Sequence, residues 1–412
     1  MKNRTLGIAL TASFVLACLT APLPSRAASA SAASKRTTGN LAGRPAASRR
    51  IVRLHHVRRH VVRRRTAGKR LVSYTRRPRA RHVWTSPTWY ADPTLGDDIS
   101  GEDPLIRQAA VSALGNLNGS VVVVDPNDGR ILSIVNQRLA LTGAYTPCST
   151  IKPVVATAGL EEGIISPETR LRAEGRFVGY FGTARIDLAQ ALAESSNEYF
   201  AKVGQMLGYK RVAEYAHEFG LGERAGLDIP GESPGVFPSA PPRVGGVGLL
   251  TSFGQDIEMT PLQLAAVVTA IANGGTLYYL QYPRTPDEIA DFQPRVRHQL
   301  DGSGPFLADV RQGMAASVLY GTSKLAFNPQ EQIFGKTGTC SDNGMHLRWY
   351  AGFSGGAKPD KVVVVLLRGE GSMFGLHAPE VAGKVYRDLL ANAKPDSQAH
   401  SLLPGAPGRV SW

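Results

Sequence analysis

The stretch "AYTPCSTIKPVVATAGLEEG", Ala144 to Gly163, decides how the chain is read. It sets a lysine, Lys152, three residues after a serine, Ser149, at the head of an otherwise apolar helical run. Residues three apart on a helix share a face, so the Lys152 ammonium would sit near the Ser149 hydroxyl. A solvated lysine is the plain reading of such a pair. The sharper one is a nucleophile beside its own base. Burial, or a second cation nearby, lowers a lysine pKa until the neutral amine can accept a proton. If Ser149 also opens the helix, its backbone N–H is one of the unpaired donors of the first turn and can face an oxyanion. Alone, a serine three residues before a lysine is a weak signal, yet no other lysine in this chain has one.

Around this helix the sequence follows a simple order. "SVVVVDPNDGRILSIVN" holds two apolar runs about Asp125-Pro126-Asn127-Asp128-Gly129, a hairpin signal. "LAQALAESSNEYFAKVGQMLG" has helical period but is broken at Ser195-Ser196-Asn197, residues that form helix poorly. "GERAGLDIPGESPGVFPSAPPR" is a Gly/Pro-rich loop, and "TPLQLAAVVTAIANGG" a helix ending at Gly274. "QIFGKTGTC", "LRWYAGFSG" and "KVVVVLLRG" read as strands, and "APEVAGKVYRDLLANA" as a closing helix. The pattern is strand pair, helical middle, three strands, helix, with no internal repeat. A folded domain is expected over residues 101–395, its first element near Pro104, followed by a flexible tail at 396–412.

Two further features bear on chemistry. Ser195 and Asn197 put a hydroxyl and an amide two residues apart, able to point together out of a turn, although capping a helix explains them equally. Lys336-Thr337-Gly338-Thr339, read as an edge strand, offers a cation and hydroxyls. Gly338 there leaves room for another chain to lie along the edge. A surface lysine and a glycine bulge are the plain alternatives.

In this order and at this wide spacing, S-x-x-K, S-x-N and K-T-G-T resemble the transpeptidase domain of penicillin-binding proteins. The likeness extends to "FGLGERAGLDIPGESPGVFP", "SFGQDIEMTPLQLAAVVTAIANGG", "GMAASVLYGTS" and "GKTGTCSDNGMHLRWYAGFSG", and covers roughly residues 104 to 393. It implies an α+β, penicillin-binding/β-lactamase-like fold: an antiparallel sheet built from both chain ends, flanked by helices, with a helical subdomain between. It also implies roles. Ser149 is the acylated nucleophile and Lys152 takes its proton. Ser195 passes a proton to the leaving amine. Asn197 holds the donor peptide's amide, and Lys336 supports the site electrostatically. Thr337, Gly338 and Thr339 form the substrate-binding edge, with both threonines on the terminal carboxylate. The N–H groups of Ser149 and Thr339 make the oxyanion hole. The substrates implied are peptidoglycan stem peptides, with β-lactam antibiotics as their mimics. Neither a metal nor an organic cofactor is implied, because the serine ester divides the reaction in two.

The acyl acceptor separates three readings: a transpeptidase uses an amine, a carboxypeptidase or β-lactamase uses water, and a sensor or scaffold keeps the fold without turnover. The E-x-x-x-N element of class A β-lactamases is missing, since only Asn273 and Asn328 lie between Asn197 and Lys336, preceded at four residues by Thr269 and Lys324. Transpeptidation is the expected activity, with carboxypeptidase action the alternative, because one water in the cleft decides between them. Ser341-Asp342-Asn343 spells S-D-N but falls where the strand after K-T-G turns back through Asn343-Gly344, and is read as a hairpin. His346, Trp349 and Tyr350 are read as packing, as are His217, His298 and His377.

Cysteine usage departs from the family. Cys148 stands where a glycine commonly precedes the nucleophile, and Cys340 follows K-T-G-T. An oxidising compartment would allow these two to pair, and two free buried thiols fit the sequence as well. In the fold implied, the two elements face each other across the cleft, which makes a disulfide bordering the site an expectation of the resemblance.

Composition divides the chain. The first 90 residues hold 20 of the 47 Lys+Arg and no acid; the remainder carries 27 basic and 33 acidic residues, a net charge of −6. The ordered part is thus mildly acidic, which gives no reason to expect nucleic acid. Met1-Lys2-Asn3-Arg4, the apolar run Leu6 to Ala21 and "PSRAASASA" read as an export signal within residues 1–28. A retained anchor, or a lipoprotein box at Cys18, are alternatives. Residues 29–100 read as a basic disordered linker where larger family members carry a further domain. It suits anionic lipid or an acidic wall polymer. His55, His56, His60 and His82 in it lack the neighbours of a metal site. Export places the domain outside the cytoplasm, in the periplasm or cell envelope.

Overall fold

The computed structural model describes residues 92–173, 184–300, 302–342, 345–356, 358–370 and 377–393. The export signal, most of the basic linker and the C-terminal tail expected from the sequence lie outside the described residues.

The first helix, α1 (Pro104–Leu114), begins at Asp103, whose carboxylate accepts the N–H groups of Leu105 and Ile106, with Pro104 in the first turn. Strands β1 (Gly119–Val124) and β2 (Ile131–Val135) flank the turn at Asp125–Gly129, and α2 (Gln137–Thr142) follows. A 3₁₀ turn, Cys148–Ile151, leads into α3 (Lys152–Glu161). A short ribbon, β3 (Leu171–Ala173) and β4 (Ala184–Ile186), precedes α4 (Leu188–Glu194) and α5 (Asn197–Glu218). After the Gly/Pro-rich loop come α6 (Gly246–Phe253) and α7 (Pro261–Asn273), the latter closed by Gly274 in the left-handed region. Strand β5 (Thr276–Tyr279), α8 (Pro286–Ala290) and β6 (Arg295–Gln299) form a second ribbon, and α9 (Gly304–Leu319) runs on from it. The chain returns through β7 (Ile333–Asp342), β8 (Met345–Ser354) and β9 (Val362–Glu370) and closes with α10 (Ala378–Ala393).

The main sheet has the order β2-β1-β9-β8-β7, every neighbouring pair antiparallel. It joins the two ends of the domain, and the helical region lies between β2 and β7 in sequence. The fold is α+β, as expected. Covering on both faces explains the unbroken valine runs. Side chains alternate across a strand. Val121, Val123, Val363 and Val365 pack with Ile106, Leu114, Val381 and Val385 of α1 and α10. Val122, Val124, Val364 and Leu366 enter the larger core with Leu262 and the helical region. A sheet wet on one face would have alternated apolar with polar residues. Each valine so buried stabilises the fold by about 1.5–3 kcal/mol.

The domain starts earlier than expected. The linker expected over residues 29–100 overlaps folded structure, since Asp97 accepts the N–H groups of Asn136 and Gln137 and a bond from Arg107. Asp98 pairs with Arg284. The acids that begin at Asp92 mark this boundary better than the helix start at Pro104 does. The two ribbons β3–β4 and β5–β6 were not anticipated: the first pairs three residues a side, and β6 is mostly exposed and basic.

Three elements converge on one cleft. The turn entering α3 carries Ser149, the α4–α5 junction carries Ser195 and Asn197, and the sheet edge β7 carries Lys336 to Thr339.

Candidate active site

Ser149 is the second residue of the 3₁₀ turn that feeds α3, and it is 7% exposed. Its hydroxyl donates to the carbonyl of Ser252 at 3.4 Å, in the last turn of α6. The turn is braced locally: Thr150 Oγ1 donates to the Pro147 carbonyl at 2.7 Å, and the Trp349 indole N–H to the Thr146 carbonyl at 3.0 Å. Cys148, fully buried, takes a φ of 53°, a left-handed conformation that a glycine adopts without strain.

Lys152 is completely buried. Its ammonium donates to the Ser195 carbonyl (2.7 Å), Asn197 Oδ1 (2.7 Å) and Ser195 Oγ (3.2 Å). The α4–α5 junction is shaped to permit this. Ser195 ends α4 in the left-handed region, with φ 59° and ψ 44°. Ser196 then caps α5, its hydroxyl accepting from the Tyr199 N–H. Capping, the plain reading of Ser195 and Asn197, thus falls to the residue between them, and their own side chains are free to meet Lys152.

Lys336, 1% exposed, reaches the same hydroxyl from the sheet side: it donates to Ser195 Oγ at 2.7 Å and to the Thr337 carbonyl at 2.9 Å. A hydroxyl has two acceptor positions and one proton. Two lysines fill the acceptor positions of Ser195, leaving its proton to be given to a third group. Burial, and then the charge of Lys336, hold the Lys152 pKa well below the ordinary lysine value. Burial lowers Lys336 to about 7. Two ammonium groups on one oxygen in a dry site repel each other, so the pair gives up a proton far more readily than surface lysines do.

Along the edge, Thr337 Oγ1 donates to Thr322 Oγ1 at 2.7 Å, and the Thr322 N–H is anchored on the Ala193 carbonyl at 3.0 Å. Thr322 was given no role from the sequence, although "LYGTS" belongs to the stretches that carry the resemblance. Only its position beside Thr337 reveals it. Gly338 has a different reason from the one expected. A Cβ there would stand 2.8 Å from the Pro147 carbonyl and 3.1 Å from Thr150 Cγ2. The space it leaves is taken by the chain's own nucleophile turn. Thr339 is exposed at the cleft, next to Cys340.

Cys148 and Cys340 form a disulfide with a Cα–Cα distance of 5.6 Å. Ser341 and Asp342 remain in β7, paired with His346 and Met345 of β8. The S-D-N triplet therefore sits at a hairpin, whose tip, Asn343-Gly344, lies outside the described residues. Trp349 and Tyr350 are wholly buried, and His346 bonds Ser341. Among the described residues no cluster of His, Cys, Asp or Glu could hold a metal, and no helix is long and apolar enough to cross a membrane.

A buried serine, two buried lysines sharing a second serine's hydroxyl, and a threonine-bearing strand edge line the cleft. The chain belongs to the penicillin binding protein transpeptidase domain family, whose sequence model matches residues 119–391. It is similar to stage V sporulation protein D of Bacillus subtilis, 29% identical over 300 residues, covering 65% of this chain and 45% of that protein. It is also similar to the peptidoglycan D,D-transpeptidase MrdA of Acinetobacter baumannii, 24% identical over 373 residues, covering 74% and 55%. Among solved structures it resembles penicillin binding protein 3 of Mycobacterium tuberculosis complexed with aztreonam, with a TM-score of 0.57 and 25% identity over 70% of this chain and 75% of that one. The chain spans about half the length of the curated relatives it matches.

Proposed function

We propose that this protein is a serine D,D-transpeptidase that cross-links peptidoglycan stem peptides through an acyl-enzyme on Ser149. The observation that carries the reading is the Ser195 hydroxyl held at 3.2 and 2.7 Å from two buried lysine amines. That arrangement supplies a base on one side and a rechargeable proton donor on the other.

In the proposed cycle the Ser149 hydroxyl turns from the Ser252 carbonyl to the neutral amine of Lys152, loses its proton and attacks the carbonyl of the donor's D-Ala–D-Ala bond. The oxyanion is received by the N–H groups of Ser149 and Thr339. Ser195 gives its proton to the departing D-alanine amine and is resupplied from the lysine pair. Asn197 holds the donor's amide, while Thr337 and Thr339 hold its carboxylate beside Lys336. The ester is then attacked by an amine of a neighbouring stem peptide, with the same groups working in reverse. β-Lactams enter as mimics of the donor, in keeping with the aztreonam complex of the M. tuberculosis relative. The enzyme works outside the cytoplasm, delivered by the N-terminal signal, with the basic linker lying on anionic lipid or wall polymer.

The test is labelling of the purified exported protein with a fluorescent penicillin, beside Ser149→Ala. A stable adduct on wild type alone is expected, together with dimeric peptide products when donor and amine acceptor stems are supplied. Rapid loss of the adduct with hydrolysed drug accumulating would instead make the protein a β-lactamase. Donor trimmed without dimer would make it a carboxypeptidase, and absence of any adduct would make it a non-catalytic relative.

A further inference from the structure

The two N–H groups assigned to the oxyanion lie on different elements. One belongs to the 3₁₀ turn entering α3 and the other to the edge strand β7. An oxyanion hole works only when both donors converge on one oxygen, so something must hold the turn against the strand. Among the described residues no backbone hydrogen bond links 146–151 to 336–342. Where they meet, Gly338 faces the Pro147 carbonyl and the Thr150 methyl, and the hydrogen bond that braces the turn from the sheet comes from Trp349 of β8, not from β7. The covalent link is the disulfide, and it falls on the residues next to the two donors. Cys148 directly precedes Ser149, and Cys340 directly follows Thr339. Cys148 also holds a left-handed φ of 53° that its side chain disfavours.

On the reading of the site given above, we infer that the Cys148–Cys340 disulfide is a positioning clamp for acylation. It fixes the separation of the Ser149 and Thr339 N–H groups, so the enzyme acylates rapidly only when oxidised. The bond spans 192 residues, and the α4–α5 junction lies within the loop it closes. Opening it is an ordinary exchange. A dithiol attacks Sγ of Cys340, the less buried sulfur, and Sγ of Cys148 leaves as a thiolate and takes a proton. The reagent's second thiol then displaces Cys340, closing the reagent's own cyclic disulfide and leaving two protein thiols. A chain still inside a reducing cytoplasm would carry an unclamped site, and exchange with an external disulfide, which leaves as its dithiol, would set it after export.

The experiment measures penicillin acylation by stopped flow, separating non-covalent affinity (Ks) from the acylation step (k2). It compares oxidised wild type, wild type reduced with dithiothreitol, the same sample reoxidised, and the double variant Cys148→Gly/Cys340→Ser. Thiols are counted by mass, and assays run below each form's melting temperature. Glycine accepts the left-handed φ without a cross-link, so the double variant separates the clamp from backbone strain at position 148. The expected result is a fall in k2 of about tenfold to a hundredfold in the reduced protein and the double variant, with Ks changed less than about threefold and full recovery on reoxidation. Reduced protein as fast as oxidised would overturn the inference, as would a double variant matching oxidised wild type. Equal losses in Ks and k2 would also overturn it, since they mark general loosening. Failure of oxidised wild type to acylate at all would sink the proposed function itself, a separate outcome.

Discussion

At the residue scale, the site turns on how little water reaches its two lysines. Lys152 must be neutral to take the Ser149 proton, and Lys336 must be charged to steady the substrate carboxylate and recharge Ser195. Burial lowers both, and the charge of Lys336 lowers Lys152 further: Lys152 falls well below its ordinary value and Lys336 to about 7. The sign of the pH effect follows. Raising pH frees the Lys152 amine, which speeds acylation, and strips the proton from Lys336, which slows it. Acylation efficiency (k2/Ks) should therefore be bell-shaped, with its alkaline limb near 7 in the free enzyme. Lys336→Arg keeps the charge at every accessible pH, so its alkaline limb should move up by at least about one pH unit even though its peak rate drops. Measuring k2/Ks over about pH 5 to 9 for both proteins checks this. An unmoved limb would mean that Lys336 is not the group that titrates. The roles of Ser149, Lys152, Ser195, Asn197 and Lys336 are implied by the resemblance; Lys152, Ser195, Asn197 and Lys336 are joined by hydrogen bonds, while the Ser149 hydroxyl rests on the Ser252 carbonyl. The role of Ser196 as the cap, and that of Thr322, were not legible. Both depend on where the α4–α5 junction turns and on a neighbour 15 residues distant along the chain, at Thr337.

At the scale of elements, the strands were legible because the sheet is covered on both faces and needs continuous apolar runs, and the long helices because their ends carry Pro, Thr and Gly signals. The short ribbons were not, since three-residue pairings and a largely exposed β6 leave no periodicity to read. Nor does a motif reveal what it packs against. Gly338 reads as an opening for substrate until the Pro147 carbonyl is found beneath it. The distinction is testable. In Gly338→Ala the new Cβ would lie 2.8 Å from a backbone oxygen that a side-chain rotation cannot move. The turn must retreat from β7, carrying Ser149 with it. We expect a loss of about 1–3 kcal/mol in stability from overpacking, and a fall of about tenfold to a hundredfold in acylation from misplaced donors. Denaturant melts and penicillin labelling measure the two separately. If Gly338 serves only to admit substrate, stability will be unchanged.

At the scale of the whole molecule, the domain is closed by a segment that composition assigned partly to the linker. Residues 92–103 lie across the ends of several elements, and their acids do the joining. The Asp97 carboxylate accepts from Arg107 of α1 (2.8 Å) and from the N–H groups of Asn136 (2.9 Å) and Gln137 (2.7 Å), where β2 passes into α2. Glu102 accepts from the Ile134 N–H, Ser133 and Tyr282. This network anchors β2, the edge of the sheet opposite β7, to the helix that covers it. It was hidden because nothing in the local pattern around Asp97 says which distant N–H groups need an acceptor; the only hint was that acids begin where the basic stretch stops. The Asp97 side chain is 3% exposed and that of Arg107 12%. Removing Asp97 leaves two buried amide donors without an acceptor and Arg107 with only the Ile134 carbonyl and the more distant Glu102 carboxylate, which is worse than never having built the pair. Asp97→Ala in the full chain should lower unfolding stability by about 3–5 kcal/mol. Asp97→Asn, which keeps one acceptor oxygen, should fall between. The cleft lies at the other edge of the sheet, so below the melting temperature both variants should be acylated by penicillin at close to the wild-type rate. Urea melts paired with labelling decide the matter: a loss below about 1 kcal/mol, the range of exposed ion pairs, would return residues 92–100 to the linker and put the start of the domain back at Pro104.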